Sequence, residues 1–379
     1  MTDLLDRVKS VVETVVRPAA TATDQSCIFP EATIRAFGAA DAGGIFIPRE
    51  LGGQGGTMRD YAHAMTIISA ACGSTSTVYM TQMHCAHPIL ANGTPEQIQR
   101  WVPPLSNGEA IGAIALTEPS AGSDVATMRT RAKKVPGGYE ITGGKTFISN
   151  GDRADVVVLF ATVDRELGKK GITAFLVDTK AVYGFQPGLP MKKLGQSAAS
   201  TVELTFESCF VSDDAVLGEV GAGYQILLDS VLTSRISAAA QGVGFAKGAL
   251  DATCAELEAR GYLSGSAREW QDLQFFLARL YADLSAGRAL LDHTAALVDA
   301  GDPQAGVQVS VAKLYCTDLG VRVSSQCLRV LGERGDDRSV GVERRLRDAK
   351  ITQIYDGTNQ VQAMLIGRAL RTSGPVVRS

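Results

Sequence analysis

Residues 353–360 of the chain read QIYDGTNQ. Asp356 is a lone carboxylate where a mostly apolar helical region stops, flanked by Tyr355 and Gly357, with Thr358 and Gln360 following. A carboxylate beside a glycine can be a plain turn. It can also be a base held at the mouth of a pocket, with polar neighbours gripping something large. Two other stretches could complete such a pocket. Residues 116–124, LTEPSAGSD, offer hydroxyls at Thr117 and Ser123, a Gly122 that lets backbone approach a ligand, and a Pro119 that fixes the entry angle. Residues 145–151, KTFISNG, add an aromatic face at Phe147 and a hydroxyl at Ser149, which strand alternation puts on one side. Together these segments could wall a flat polar ring, with aromatic contact on a face and hydroxyls and amides at the edges.

The elements that must position them change character twice. Residues 1–112 carry helical periodicity, as in FPEATIRAFGAADAG and TMRDYAHAMTIISAAC. Tyr61 to Pro95 contains no Asp, Glu, Lys or Arg, but Gly73, Gln82, His84, His87 and Pro88 interrupt it. It reads as a pair of buried helices, not a membrane span. Residues 113–220 are short β-branched and aromatic runs between breakers such as Pro136-Gly137-Gly138, and predict a β-barrel or sandwich of antiparallel strands. Residues 221–379 return to long helical periods with short connections, which predicts a bundle. The fold class is α+β, mostly α.

Bulk properties exclude several functions. A net charge of −3, from 37 basic and 40 acidic residues, gives no general field for nucleic acid or an anionic membrane. The cysteines at 27, 72, 85, 209, 254, 316 and 327 are odd in number, widely spaced and lack a CxxC pair. That pattern suits a reducing cytoplasm and offers no metal site. The N-terminus carries Asp3, Asp6 and Glu13 at helical spacing, unlike a secretory signal. GGKT at 143–146 lacks the earlier glycine of a phosphate loop, since Tyr139 stands there. Gly242, Gly244 and Gly248 have no strand ahead of them and predict close helix packing. His84 and His87 read as pocket-wall or hydrogen-bonded core residues. No serine sits in a GxSxG elbow.

Three ordered motifs make the chain recognisable: LTEPSAGSD, GGKTFISNG and RRLRDAKITQIYDGTNQ. It resembles the acyl-CoA dehydrogenase family over nearly its whole length, matching the forms TEPxAGSD, GxKxWITN and RDAKxxxIYEGTxQ. The resemblance implies a helical domain, a β domain and a C-terminal four-helix bundle. It implies FAD, with Leu116, Thr117 and Ser123 around the isoalloxazine ring and the neighbouring ligand, Phe147 packed on the ring and Ser149 at its N5 side. Thr358 and Gln360 would hold the dinucleotide portion, and Arg260 would reach the FAD pyrophosphate of an adjacent subunit, in a homodimer or homotetramer. Ser123, Arg235, Tyr355 and Gly357 would line the substrate, an acyl thioester of CoA or an acyl carrier protein. Asp356 would take the α-proton while flavin N5 takes the β-hydride, and an electron-transferring flavoprotein would accept the electrons.

This sequence departs from the family at Asp356, where Glu is usual, a retreat of roughly 1.5 Å. A branched or cyclic acyl group is one response to that retreat. Ser234 stands where some members carry an alternative glutamate. Leu263 and Ser264 replace a usual Phe-Gly pair, and Arg329 replaces a Gln and could pair with the pyrophosphate. Residues 194–201 are small and neutral where a basic residue is often found, which could mark a carrier protein in place of CoA. Two other readings use the same residues: a flavin-dependent monooxygenase, and a non-catalytic FAD-bound protein that binds an acyl carrier.

Overall fold

The computed structural model describes residues 2–263 and 270–372. The N-terminal part is helical: α1 (Thr2–Val11), α2 (Arg17–Ser26), α3 (Glu31–Ala39), α4 (Met58–Ala71), α5 (Gly73–Asn92) and α6 (Pro95–Ser106). Local chemistry starts α4. The Thr57 hydroxyl accepts from the Asp60 amide at 3.1 Å, and Asp60 accepts the Thr57 amide at 2.9 Å. Thr94 and Gln97 form the same reciprocal cap on α6. Gln97 then donates to the carbonyls of Asp214 and Val216, at 2.7 and 2.9 Å, tying α6 to the sheet. The charge-free stretch forms α4 and α5, and α5 is buried along most of its length. Among the described residues, no helix is long and apolar enough to cross a membrane.

The middle part is one sheet: β1 (Gly112–Ala115), β2 (Arg131–Val135), β3 (Gly138–Ser149), β4 (Val156–Thr162), β5 (Ile172–Asp178), β6 (Phe185–Pro187), β7 (Thr201–Ser212) and β8 (Val216–Leu217). Its order is β6-β7-β3-β2-β4-β5-β8, with β1 also on β4. The sheet is mixed, not antiparallel throughout. β1 runs parallel to β4, and β2 meets β4 in parallel at Arg131 and Thr162. A parallel pair needs a long crossover. The stretch from 116 to 155, which holds the β2–β3 hairpin, supplies the one between β1 and β4.

β4 is apolar at successive positions because both its faces are covered. Val156, Val158 and Phe160 join the helical core, while Val157, Leu159 and Ala161 join a second core closed by Ile141, Val202 and Phe206. The sheet therefore curls over its own interior.

The C-terminal part comprises α7 (Gly223–Ala259), α8 (Gln271–Asp299), α9 (Ala305–Leu331), the short α10 (Glu333–Asp336), α11 (Val342–Lys350) and α12 (Asn359–Thr372). α9 is central and packs on α7, α8, α11 and α12. Glycines let the backbones close in, as the sequence predicts. A Cβ at Gly242 would lie 2.2 Å from the Cys316 carbonyl on α9, and one at Gly248 would lie 2.4 Å from the Ala70 carbonyl on α4.

Candidate active site

After β1 the chain leaves the sheet as the 116–124 loop, and a buried ion pair pins it. Lys145 of β3 is 1% exposed; its Nζ lies 2.8 Å from Glu118 Oε1 and donates to the Leu116 carbonyl at 3.0 Å. Glu118 also accepts the amides of Arg129 and Thr130, at 2.6 and 2.9 Å. Burial would raise the Glu118 carboxyl, but the Lys145 ammonium and these donors hold it below the usual carboxylate range. The Thr146 amide donates to the Thr117 carbonyl at 2.8 Å, so loop and strand lie side by side. Leu116 and Thr117 are half-buried and Ser123 is exposed. A Cβ on the neighbouring Gly122 would meet nothing within 4 Å.

Plain strand alternation does not place Phe147. The β3–β7 ladder shifts register between Lys145 and Ile148, and Phe147 takes a left-handed φ of +59°. Such a bulge re-aims a side chain. Phe147 is left 67% exposed, while Ile148 is buried and Ser149 half-buried. Asn150, also left-handed at +62°, donates to the carbonyls of Gly112 and Val78, at 3.2 and 3.5 Å.

Asp356 sits in the turn between the Ile351–Gln353 helical turn and α12, at φ +55°, with Gly357 at +86°. Its Oδ2 is buried and has no hydrogen-bond partner. Burial pushes the carboxyl up to about 7, against the pull of two cations, Lys313 on α9 and Arg235 on α7. Arg235 donates to Ser310 Oγ at 3.3 Å, and its Nε is buried without a partner. A Cβ at Gly357 would meet Gln362 Nε2 at 2.7 Å and Arg235 Nη2 at 3.7 Å, so the turn lies close against both side chains. Gln362 donates to the Gly357 carbonyl at 2.9 Å. Thr358 caps α12 by accepting the Val361 amide at 3.2 Å, and Gln360 is exposed in its first turn.

The loop pair and the turn share a floor, the Ser76–Val78 turn of α5. Asn150 reaches the Val78 carbonyl, and Tyr355 reaches Ser76 and Thr77 through Gln241. Arg260 and Arg329 are not brought there within one chain. Arg260 ends α7 and lies roughly 37 Å along it from Arg235, its guanidinium 5.1 Å from the Tyr262 ring. Arg329 is exposed in the last turn of α9, roughly 24 Å along it from Lys313. Both lie toward the end of the bundle where Arg334 pairs with Glu256 at 2.8 Å. Leu263 is half-buried, and Ser264 lies outside the described residues.

Sequence reasoning missed Lys313, Asn359, Gln241 and Gln362. Lys313 is fully buried and donates to Asn359 Oδ1 at 2.8 Å, which locks the first residue of α12 to α9. A lone lysine in the apolar run VSVAKLYC was the available signal. His84 pairs with Ser237 Oγ at 3.0 Å, and Tyr61 meets the same hydroxyl at 2.9 Å. Burial takes His84 down to about 3, so it is a neutral hydrogen-bonded core residue. His87 stands edge-on to Phe46.

The three segments of the chain match the N-terminal, middle and C-terminal domain models of acyl-CoA dehydrogenases, over residues 2–109, 113–209 and 221–371. The chain belongs to the acyl-CoA dehydrogenase family. It is 36% identical to a short-chain specific acyl-CoA dehydrogenase of Clostridium acetobutylicum, over 95% of this chain and 94% of that one. It is also 36% identical to a cyclohex-1-ene-1-carbonyl-CoA dehydrogenase of Geobacter metallireducens, over 97% and 96%. A solved structure described as an electron transferring flavoprotein of Acidaminococcus fermentans matches with a TM-score of 0.93 at 34% identity, covering 99% of this chain and 97% of that one. The chain is thus an acyl-CoA dehydrogenase-type flavin oxidoreductase, with FAD as its cofactor. The residues present fit that group: a bare Phe147 ring, open space over Gly122, and a polar loop held rigid by a buried ion pair.

Proposed function

We propose that this acyl-CoA dehydrogenase takes one hydrogen from each of the α- and β-carbons of an acyl thioester, with Asp356 as the base. The observation that carries this is the buried, unpartnered Oδ2 of Asp356 beside two cations. A carboxyl at about 7 is half ionised at neutral pH, where a general base works best. Its free oxygen accepts no hydrogen bond, so it is available for the α-proton of a carbon acidified by the thioester carbonyl. Bound FAD supplies the oxidant that accepts the β-hydrogen with its electron pair. A backbone amide beside Asp356 would hold the carbonyl oxygen as negative charge develops there.

Leu116, Thr117, Ser123, Phe147 and Ser149 would hold the flat ring. Thr358 and Gln360 would face the dinucleotide portion, and Arg235, Tyr355 and Gly357 would line the acyl site with Ser123. Arg260 and Arg329, too distant along their helices to serve their own site, would serve the pyrophosphate of a second copy, so a homodimer or homotetramer would be the working unit. An electron-transferring flavoprotein would take the electrons, a partner supported by the match to the Acidaminococcus fermentans structure. The free thiols suit a cytoplasmic setting.

The shorter base asks for a substrate seated nearer the turn. The relationship to a cyclohexene-carbonyl-CoA enzyme makes cyclic acyl groups worth setting beside straight and branched ones. The test is an anaerobic titration of the FAD-loaded protein with butanoyl-, isobutanoyl- and cyclohexanoyl-thioesters of CoA and of an acyl carrier protein. Bleaching of the flavin by one set identifies the carrier. No bleaching by any, with oxygen consumed when reduced flavin is supplied, would replace the reading with a monooxygenase.

A further inference from the structure

Tyr355 immediately precedes Asp356, and its hydroxyl donates to Oε1 of Gln241 on α7. Gln241 is fully buried and donates from Nε2 to Ser76 Oγ at 2.9 Å and Thr77 Oγ1 at 3.1 Å. Each of those hydroxyls has already committed its proton: Ser76 to the Gly73 carbonyl at 2.8 Å, Thr77 to Gln196 Oε1 at 2.7 Å. Both are therefore acceptors toward Gln241, which fixes its amide so that only the oxygen is left for Tyr355. Gln196 closes the far end. It takes a left-handed φ of +51°, donates from Nε2 to the Asp348 carbonyl at 3.1 Å, and donates its backbone amide to Asp348 Oδ1. One chain of buried hydrogen bonds thus runs from α11 through the 194–201 loop, α5 and α7 to the turn.

We infer that Gln241 is a positioning residue for Asp356, and that the bonds from Asp348 through Gln196, Thr77 and Gln241 to Tyr355 set where that carboxylate points. The inference rests on the reading of Asp356 as the base. An aspartate has one rotatable bond fewer than a glutamate, so its reach is decided by its backbone. That backbone is left-handed, a conformation uncommon outside glycine, and needs support. Gln362 holds it from the downstream side at the Gly357 carbonyl. Upstream, the tyrosine hydroxyl is held by Gln241, with the side chains of Thr77 and Gln196 also beside it. The bland alternative is that these groups merely satisfy one another in the core. The two differ in what a substitution changes: stability alone, or the rate of proton removal at unchanged binding.

The experiment is anaerobic stopped-flow reduction of the FAD-loaded full chain by whichever of the acyl thioesters above bleaches it. Gln241→Leu should slow reduction on the order of 10- to 100-fold while the ester's dissociation constant stays within about threefold. Tyr355→Phe should lose as much, and the double variant should lose no more than either. A Gln241→Leu rate within about twofold of the parent, or losses that multiply in the double variant, would overturn the inference. Where Gln241→Leu yields no soluble flavoprotein, the isosteric Thr77→Val decides. Severalfold slower reduction at unchanged binding supports the relay, and a parental rate overturns it. Asp356→Asn separates the two claims. If it still reduces flavin, the base assignment fails and the relay with it. If it is dead while Gln241→Leu is normal, only the relay fails.

Discussion

The 116–124 and 145–151 segments and the 353–360 turn meet on one floor but are held in opposite ways. The first two are locked by contacts between themselves: Lys145 to Glu118, the Thr146 amide to Thr117, and a bulge that exposes Phe147. The turn is locked by side chains from distant helices, Gln241 on α7 and Lys313 on α9, and by Gln362 on α12. The loop pair is rigid with its ions satisfied, which suits holding a large ring. The turn keeps a carboxylate unsatisfied, which suits chemistry. A site that must bind tightly and react can divide these tasks between regions.

Asp356→Asn tests the reactive half and should have the largest effect. Flavin reduction by acyl thioester should fall about 10³-fold, while FAD stays bound. The same variant should be more stable at pH 8. In the folded chain the carboxyl is raised to about 7 from the ordinary value near 4, so ionising it costs stability as pH rises between those values. Melting temperatures should show a gain at pH 8 that shrinks toward pH 4.

Lys145→Met tests the binding half. It leaves the buried Glu118 carboxylate without its cation, held only by the Arg129 and Thr130 amides, at about 3 kcal/mol of stability. Thermal unfolding and FAD retention should both suffer, whereas the acid limb of the rate in protein that still holds FAD should stay in place. A shift of that limb would mean that the two regions are not separable.

These regions also differed in how legible they were. LTEPSAGSD and KTFISNG announce themselves because their chemistry is local, and the helix–sheet–helix order follows from periodicity alone. Asp356 was visible because polar residues cluster around it. Lys313, Gln241 and Asn359 were not, because each sits on a helix whose pattern looks like ordinary core, and their partners lie far off in sequence. The parallel β1–β4 pairing escaped for the same reason, since strand chemistry carries no mark of which distant strand it will meet. The Phe147 bulge was hidden too, because its register shift is set by β7, not by β3 itself.

Lys313→Met sharpens the contrast from the other side. The buried ammonium favours the ionised form of Asp356, so its loss should raise that carboxyl further. The acid limb of the reduction rate should move up by about one pH unit, a loss of about tenfold at pH 6 that closes by pH 9. Arg235 leaves one cation in place, so the limb should move and not vanish.

Thr358→Ala asks for the smallest effect and bears on where the two halves meet. Its hydroxyl accepts the Val361 amide at 3.2 Å, a cap whose removal costs about 1 kcal/mol. If capping is all it does, the melting temperature should fall by a few degrees and the FAD dissociation constant should not change. If it also holds the dinucleotide, FAD should dissociate more readily at temperatures where the fold is intact, and Thr358→Ser should restore both properties. A hydroxyl that serves both tasks would tie cofactor occupancy to the start of α12, and through Asn359 and Lys313 to the charge beside Asp356. In that case apoprotein and holoprotein should differ in hydrogen-exchange protection at α12 in the parent and not in Thr358→Ala.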